Sequence, residues 1–317
     1  MGLNKIPTIS ESDRILIIGG TGFIGRHLAQ KCLQYSSFVT SLGLTNSIGK
    51  EANIKDVEYI QADILDREKL KSALNGRSYD YVFNLGGYID HTPYFMGGHK
   101  VLDSHFLGVT NIINCLDRKR LKGFVQVGSS DEYGSQLAPQ NETMRERPFS
   151  TYSFSKTAST HFIQMLHLSE GFPGVVTRLF LTYGPGQDEK RFLPQIIIAC
   201  LKGESFETTE GRQLRDFCYV EDVVEGLIKS AVTPQAKGHI FNIASGKPVL
   251  IRDMIDEIVS IIGKGNPIPG ARPYREGEHM ELFADINRSK DLLDWAPQTS
   301  LATGLQRTIE YYKNMAG

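Results

Sequence analysis

The stretch Arg14-Ile15-Leu16-Ile17-Ile18-Gly19-Gly20-Thr21-Gly22-Phe23-Ile24-Gly25 decides how the rest of the chain is read. An apolar run of buried-strand character passes straight into a G-x-x-G-x-x-G turn that opens a helix. Gly19 permits the sharp turn, Gly22 lets backbone N–H groups approach a pyrophosphate, and Gly25 lets the helix pack closely on the strand. The helix N-terminus adds about half a positive charge facing the phosphates. A glycine-rich turn that binds nothing can show the same spacing. Placement between the first strand and the first helix favours a dinucleotide cradle built from Gly19, Thr21, Gly22, Phe23, Ile24 and Gly25.

Working outward, similar short apolar runs recur at Arg14–Ile18, Phe38–Leu42, Val57–Ile60, Tyr81–Leu85, Phe124–Val127 and Val175–Phe180. Their near-continuous apolar character suits strands covered on both faces. Helical stretches lie between them. Phe23–Leu33 puts Ile24, Leu28 and Cys32 on one stripe, and Val101–Leu116 puts Phe106, Ile112, Ile113 and Leu116 inward. This alternation predicts an α/β fold with a Rossmann-type, doubly wound parallel sheet. Beyond Arg178 the regularity fades and Gly and Pro become frequent. The expected division is a dinucleotide-binding domain over 1–178 and a smaller substrate-binding portion over 179–317. A segment near 210–245 is expected to return to the sheet through His239–Ala244.

Composition narrows the class. The 317 residues suggest two domains or one large one, with 40% hydrophobic and 22% charged residues. The net charge is -1, which argues against nucleic acid or an anionic membrane as partner. Cys32, Cys115, Cys200 and Cys218 stand far apart, so neither a zinc site nor a disulfide framework is suggested. No metal is expected. The first fourteen residues are polar, without the apolar core of a signal peptide, and no apolar run approaches the ~20 residues that span a bilayer. A soluble, cytoplasmic protein is the expectation.

The end of the second strand discriminates NAD from NADP, because an acid there binds the adenosine ribose hydroxyls and repels a 2′-phosphate. Here the chain reads Val39-Thr40-Ser41-Leu42-Gly43-Leu44-Thr45-Asn46-Ser47, with no acid before Glu51. Small polar residues and Lys50 leave room for a 2′-phosphate, favouring NADP; NAD held without that carboxylate is the alternative. Asp63 and Ile64 follow the third strand, where a carboxylate can accept from the adenine amino group, although a solvated loop aspartate reads the same way. Leu85 closes the fourth run and is counted on the cofactor side.

Tyr152-Ser153-Phe154-Ser155-Lys156 carries the chemistry. Residues four apart on a helix lie roughly 40° around and 6 Å along the axis, so both side chains share a face. A neighbouring ammonium favours the phenolate and is expected to bring Tyr152 down toward a working pKa. The same lysine can bond the nicotinamide ribose. Two unrelated surface residues would show this spacing too, but its place after the fifth strand adds weight. Ser129 and Ser130 follow Phe124–Val127 at the end of a strand where open α/β sheets bind ligands. A hydroxyl there can bond the sugar oxygen whose proton Tyr152 gives or takes, or can simply cap the strand exit.

These segments, with Arg178-Leu179-Phe180-Leu181-Thr182-Tyr183-Gly184-Pro185, Arg215-Asp216-Phe217-Cys218-Tyr219-Val220-Glu221-Asp222 and Asn242-Ile243-Ala244-Ser245-Gly246, resemble the extended short-chain dehydrogenase/reductase family. That family holds NAD(P)-dependent enzymes of nucleotide-diphosphate sugars. The resemblance spans roughly residues 14–312. It implies that Ser129, Tyr152 and Lys156 are catalytic, with Tyr152 and Lys156 also touching the cofactor. It implies hydride transfer at hexose C4, and that Arg215 and Arg275 contact the substrate diphosphate. Leu181 stands where the family commonly has an asparagine against that diphosphate. His105 stands where an asparagine is common near the catalytic tyrosine. A homodimer formed through two helices per subunit is also implied.

Within the family, dehydratases carry Thr-Asp-Glu after this strand. Ser129, Ser130 and Asp131 occupy those places, so one acid is absent and the other is shorter. The Gly128-Ser129-Ser130-Asp131-Glu132-Tyr133-Gly134 segment is similar to that of reductases acting on 4-keto-6-deoxy sugar nucleotides. The resemblance therefore leans toward a C4-ketoreductase with Ser130 and Asp131 beside the substrate. A 4-epimerase or 4,6-dehydratase with tightly bound NAD is the alternative, and a non-catalytic Rossmann scaffold is the remote one.

Overall fold

The computed structural model describes residues 8–46, 53–275 and 278–316. Thirteen strands are found among them. They are β1 (Arg14–Ile18), β2 (Phe38–Gly43), β3 (Val57–Gln61), β4 (Tyr81–Asn84), β5 (Gly123–Ser129), β6 (Gly174–Leu179), β7 (Leu181–Tyr183), β8 (Ser205–Glu207), β9 (Leu214–Tyr219), β10 (Ile240–Ile243), β11 (Pro248–Leu250), β12 (Asn266–Ile268) and β13 (Glu281–Leu282). Seven form one sheet in the order β10-β6-β5-β4-β1-β2-β3, and every neighbouring pair is parallel. The order reverses between β1 and β4, which opens a crevice at their carboxyl ends.

The side-chain period of two explains the apolar runs. Ile15 and Ile17 face one core with Phe83, Val125 and Val175, covered by the helices Phe23–Cys32 and Val220–Val232. Leu16 and Ile18 face the other with Val82, Phe124, Ile112 and Ile163, covered from Gly108–Cys115 and Thr151–Glu170. β10 lies inside the stretch expected to return to the sheet and pairs with β6, Ile240 opposite Val176.

Two expectations need correction. The helix expected over Val101–Leu116 is built in three pieces, His99–Leu102, a π-type turn Asp103–Leu107, and Gly108–Cys115. The wider turn shifts the helical phase, so Phe106 is only half-buried, against Phe162, while His105 takes the inward place. Ile24 is likewise half-buried, while Leu28 and Cys32 are fully enclosed.

The second half also holds a sheet that its sequence did not announce. β9 pairs with β7 and β13 in parallel and with β11 antiparallel, under a core that joins Phe217 and Tyr219 to Ile197, Ile258 and Leu305. These strands have two to six residues and are interleaved with turns, which leaves little periodicity to read. No helix among the described residues is long and apolar enough to cross a membrane.

Candidate active site

At the crevice the chain turns out of β1 through Gly19, whose φ is +79° and whose N–H donates to the Leu42 carbonyl. A Cβ on Gly19 would lie 3.0 Å from the Leu85 carbonyl oxygen, so β1 and β4 hand over to their loops almost in contact. A Cβ on Gly25 would lie 2.2 Å from the Gly19 carbonyl oxygen and 2.7 Å from the Gly20 Cα. That is the close packing of helix on turn for which a third glycine is needed. The helix Phe23–Cys32 starts from Gly22 with no side-chain cap and no acid in its first turn, so its leading N–H groups are not satisfied by a capping side chain. This arrangement fits a pyrophosphate. Asp63 is exposed after β3, its Oδ1 accepting from the Leu65 N–H, and Ile64 and Leu85 are half-buried nearby. Lys50, on which the preference for NADP rests, lies outside the described residues, as does Glu51.

Ser150 caps the helix Thr151–Glu170 by accepting from the Ser153 N–H at 3.1 Å. Tyr152 therefore stands in the first turn and Lys156 one turn later. Both are buried, and the Lys156 Nζ lies 5.8 Å from the Tyr152 ring centre. The Lys156 ammonium donates to the Val127 carbonyl of β5. Burial pushes Lys156 down to about 8, against the carboxylates Glu132 and Asp131, which hold it up. The expected depression of Tyr152 is not what the structure shows. Burial raises its phenol above the usual tyrosine value, the Asp131 charge raises it further, and a Ser129 side-chain hydrogen bond opposes them. Desolvation outweighs any benefit from the lysine, so the phenol is held protonated.

Ser129 ends β5. Its Oγ accepts from the Asp131 N–H, while Glu132 Oε1 accepts from the Ser129 N–H at 2.9 Å, closing a capping box. Ser129 thus caps the strand exit and meets the Tyr152 phenol at once. Ser130 is buried behind it. Asp131 lies half-buried with its carboxyl raised, chiefly by burial, while His91, His279 and Arg215 pull it down. Its Oδ2 is 3.9 Å from His91 Nε2, and the His91 ring stands edge-on to Tyr152 at 5.5 Å.

The arginines differ from each other. Arg215 is buried, within electrostatic reach of Asp131, and its guanidinium is bonded to Glu278 and to the Leu214 carbonyl. Arg275 is exposed beside positions 276–277, which lie outside the described residues. Glu278, from the same Arg275-Glu276-Gly277-Glu278 run, is the residue that meets Arg215. Leu181 is partly exposed on β7, opposite Phe217. The crevice therefore brings together Ser129, Tyr152, Lys156 and Asp131, with Arg215 at its side.

Sequence reasoning missed several neighbours. His91 packs against Tyr152, the Arg191 charge acts on the phenol through space, and His279, packed on Phe149 at 5.1 Å, acts likewise on Asp131. All three lie outside helices and strands, without spacing that marks them. Beneath the site Arg178 is fully buried, with Nε 2.9 Å from Glu132 Oε2, a second carboxylate in Glu146, and the Tyr133 ring 4.5 Å away. This pair fixes the turn that carries Ser129 and Asp131.

Sheet order, glycine turn and Tyr-Lys helix together define the extended short-chain dehydrogenase/reductase class. The pattern of the NAD dependent epimerase/dehydratase family matches residues 15–244, and the chain belongs to that family. A putative UDP-glucose 4-epimerase of Methanocaldococcus jannaschii is 29% identical, covering 95% of this chain and 98% of its own length. The dTDP-D-glucose 4,6-dehydratase of Bos taurus is 24% identical over 97% of this chain and 90% of its own. Among solved structures, UDP-glucose 4-epimerase from Thermotoga maritima superposes with a TM-score of 0.86 at 23% identity, covering 96% of this chain and 100% of that one.

Proposed function

We propose that the protein is an NAD(P)-dependent oxidoreductase acting at hexose C4 of a nucleotide-diphosphate sugar, in the direction of reducing a 4-keto-6-deoxy sugar nucleotide. The observation that carries this reading is the arrangement of Tyr152 and Lys156, both buried one helical turn apart, with the Lys156 ammonium 5.8 Å from the Tyr152 ring centre and bonded to β5, the strand that ends in Ser129. Burial keeps the phenol protonated there. A protonated phenol in that place is a donor waiting for an alkoxide. Ser129, Tyr152 and Lys156 are the proposed catalytic residues. Gly19, Thr21, Gly22, Phe23, Ile24, Gly25, Asp63, Ile64 and Leu85 are proposed to hold the dinucleotide.

A reduced nicotinamide dinucleotide held by these residues would supply the hydride for the carbonyl carbon. Ser129 holds the carbonyl oxygen, and Tyr152 gives that oxygen its proton as the C–O π bond becomes an alcohol. Lys156 keeps its ammonium by the phenol and can bond the nicotinamide-side ribose. Ser130, Asp131 and Arg215 are proposed to flank the sugar and its diphosphate, with Arg275 and Leu181 farther out. The family description names NAD; the lack of a carboxylate over 43–46 is what favours NADP. Leu107, Phe154, Met165 and Leu168 are apolar yet exposed, and we assign them to a homodimer interface.

A second reading, a 4-epimerase or 4,6-dehydratase recycling tightly held NAD, draws support from Asp131. Its raised carboxyl beside His91 can take or return a proton at a carbon next to a C4 ketone. The deciding experiment supplies NADPH or NADH with a 4-keto-6-deoxy sugar nucleotide and tracks the reduced-nicotinamide absorbance. Steady consumption supports the reductase. NAD released only on denaturation, with no consumption, turns the reading to the epimerase or dehydratase.

A further inference from the structure

His105 occupies the π-type turn Asp103–Leu107 and is 3% exposed. Its Nε2 lies 2.8 Å from the Tyr88 carbonyl oxygen. A carbonyl only accepts, so Nε2 carries the proton and Nδ1 is left as a bare acceptor. Burial, reinforced by the Lys156 ammonium, pushes His105 down to about 3, so the ring is neutral. Nδ1 is enclosed and has no hydrogen-bond partner among the described residues. A buried acceptor in this state is destabilising until a donor reaches it.

The ring is fixed on several sides. Its edge meets the Tyr152 ring at 5.2 Å with the planes 79° apart. Gly87, at φ +106°, lies so near that a Cβ there would come within 2.2 Å of Cε1. The His105 main-chain carbonyl accepts from the Ser159 hydroxyl at 2.6 Å. A rigid, unpaired acceptor is therefore held beside Tyr152 and Lys156, the two groups assigned above to the nicotinamide end of the cofactor. A bare lone pair repels a phosphate or carboxylate, and the nearby ammonium disfavours a second cation. The fitting donor is a neutral hydroxyl.

We propose that His105 Nδ1 accepts a hydrogen bond from a hydroxyl of the nicotinamide-side ribose, sharing that sugar with Lys156. This rests on the dinucleotide reading. It makes His105 a cofactor-positioning residue whose imidazole anchors the Gly87–Tyr88 loop with one nitrogen and reads the ribose with the other.

The test is calorimetric titration of wild type, His105→Leu and His105→Gln with NAD, ADP-ribose and ADP, or with the 2′-phosphorylated counterparts if NADP binds more tightly. ADP-ribose keeps the distal ribose and ADP lacks it. His105→Leu is expected to weaken NAD and ADP-ribose by about tenfold, the loss of one hydrogen bond, and to leave ADP unchanged. His105→Gln, whose carboxamide offers an N–H to Tyr88 and an oxygen to the ribose, is expected to recover most of that loss. A His105→Leu protein that binds ADP-ribose as wild type does, or that loses ADP affinity equally, overturns the inference alone. A wild type that binds none of the three removes the dinucleotide reading beneath it.

Discussion

The Lys156 ammonium donates to the Val127 carbonyl at 3.0 Å, tying the helix that carries Tyr152 to the strand that carries Ser129. The bond places a cation in the crevice before any ligand arrives, and the burial it requires lowers the lysine to about 8.

That displacement sets a pH dependence. Between about 8 and the ordinary lysine value of 10.5 the unfolded chain binds the proton that folded Lys156 has released. Through this group, stability therefore rises with pH across that window. Lys156→Met removes the dependence. Its stability relative to wild type is expected to be most favourable below pH 8 and to decline through the window. Urea denaturation on either side checks this, and a constant difference would show that Lys156 is not depressed.

Tyr152→Phe removes only the transferable proton. Turnover is expected to fall by about 10²–10⁴, while dinucleotide affinity measured by calorimetry stays near wild type. Wild-type turnover in this variant would take Tyr152 out of the mechanism.

Glu132→Gln leaves Arg178 fully buried with Glu146 as its remaining carboxylate. Breaking a buried pair from one side typically costs about 3–5 kcal/mol. The lower end is expected here because the second acid persists. Thermal unfolding measures the loss, and a change within experimental error would show that the pair does not stabilise the turn beneath Ser129.

Gly25→Ala forces a methyl against the Gly19 carbonyl. Backbone cannot yield as a flexible side chain does, so a loss of about 1–3 kcal/mol is expected, together with dinucleotide binding weakened at least as much as folding. Tight binding with unchanged stability would mean that the turn does not pack as described.

Phe154→Glu combined with Leu168→Glu places charge on two exposed apolar positions of one helix. Sedimentation is expected to show a dimer for wild type and a monomer for the double variant. Identical masses would reject the proposed interface.

The first half of the fold was legible because β1, β4 and β5 are covered on both faces and read as near-continuous apolar runs. The Tyr152–Lys156 relation was legible because helical spacing alone puts both on one face. What escaped notice depends on neighbours distant in sequence. Burial, which raises Tyr152 and lowers Lys156, comes from residues far along the chain. His91 and His279 reach the site from loops that share no period. The π-type turn at Asp103–Leu107 shifts His105 inward by local geometry that an i, i+4 pattern does not record.

Arg26 and His27, on the helix that leaves the glycine turn, both donate to the Pro185 carbonyl, and a Cβ at Gly186 would collide with the Arg26 guanidinium. The loop after β7 is therefore clasped to the first helix of the chain. Anyone exchanging the later half for that of a relative, to alter which sugar is accepted, would withdraw this clasp from the helix. A working chimera must carry its 184–187 loop and positions 26–27 as a matched set.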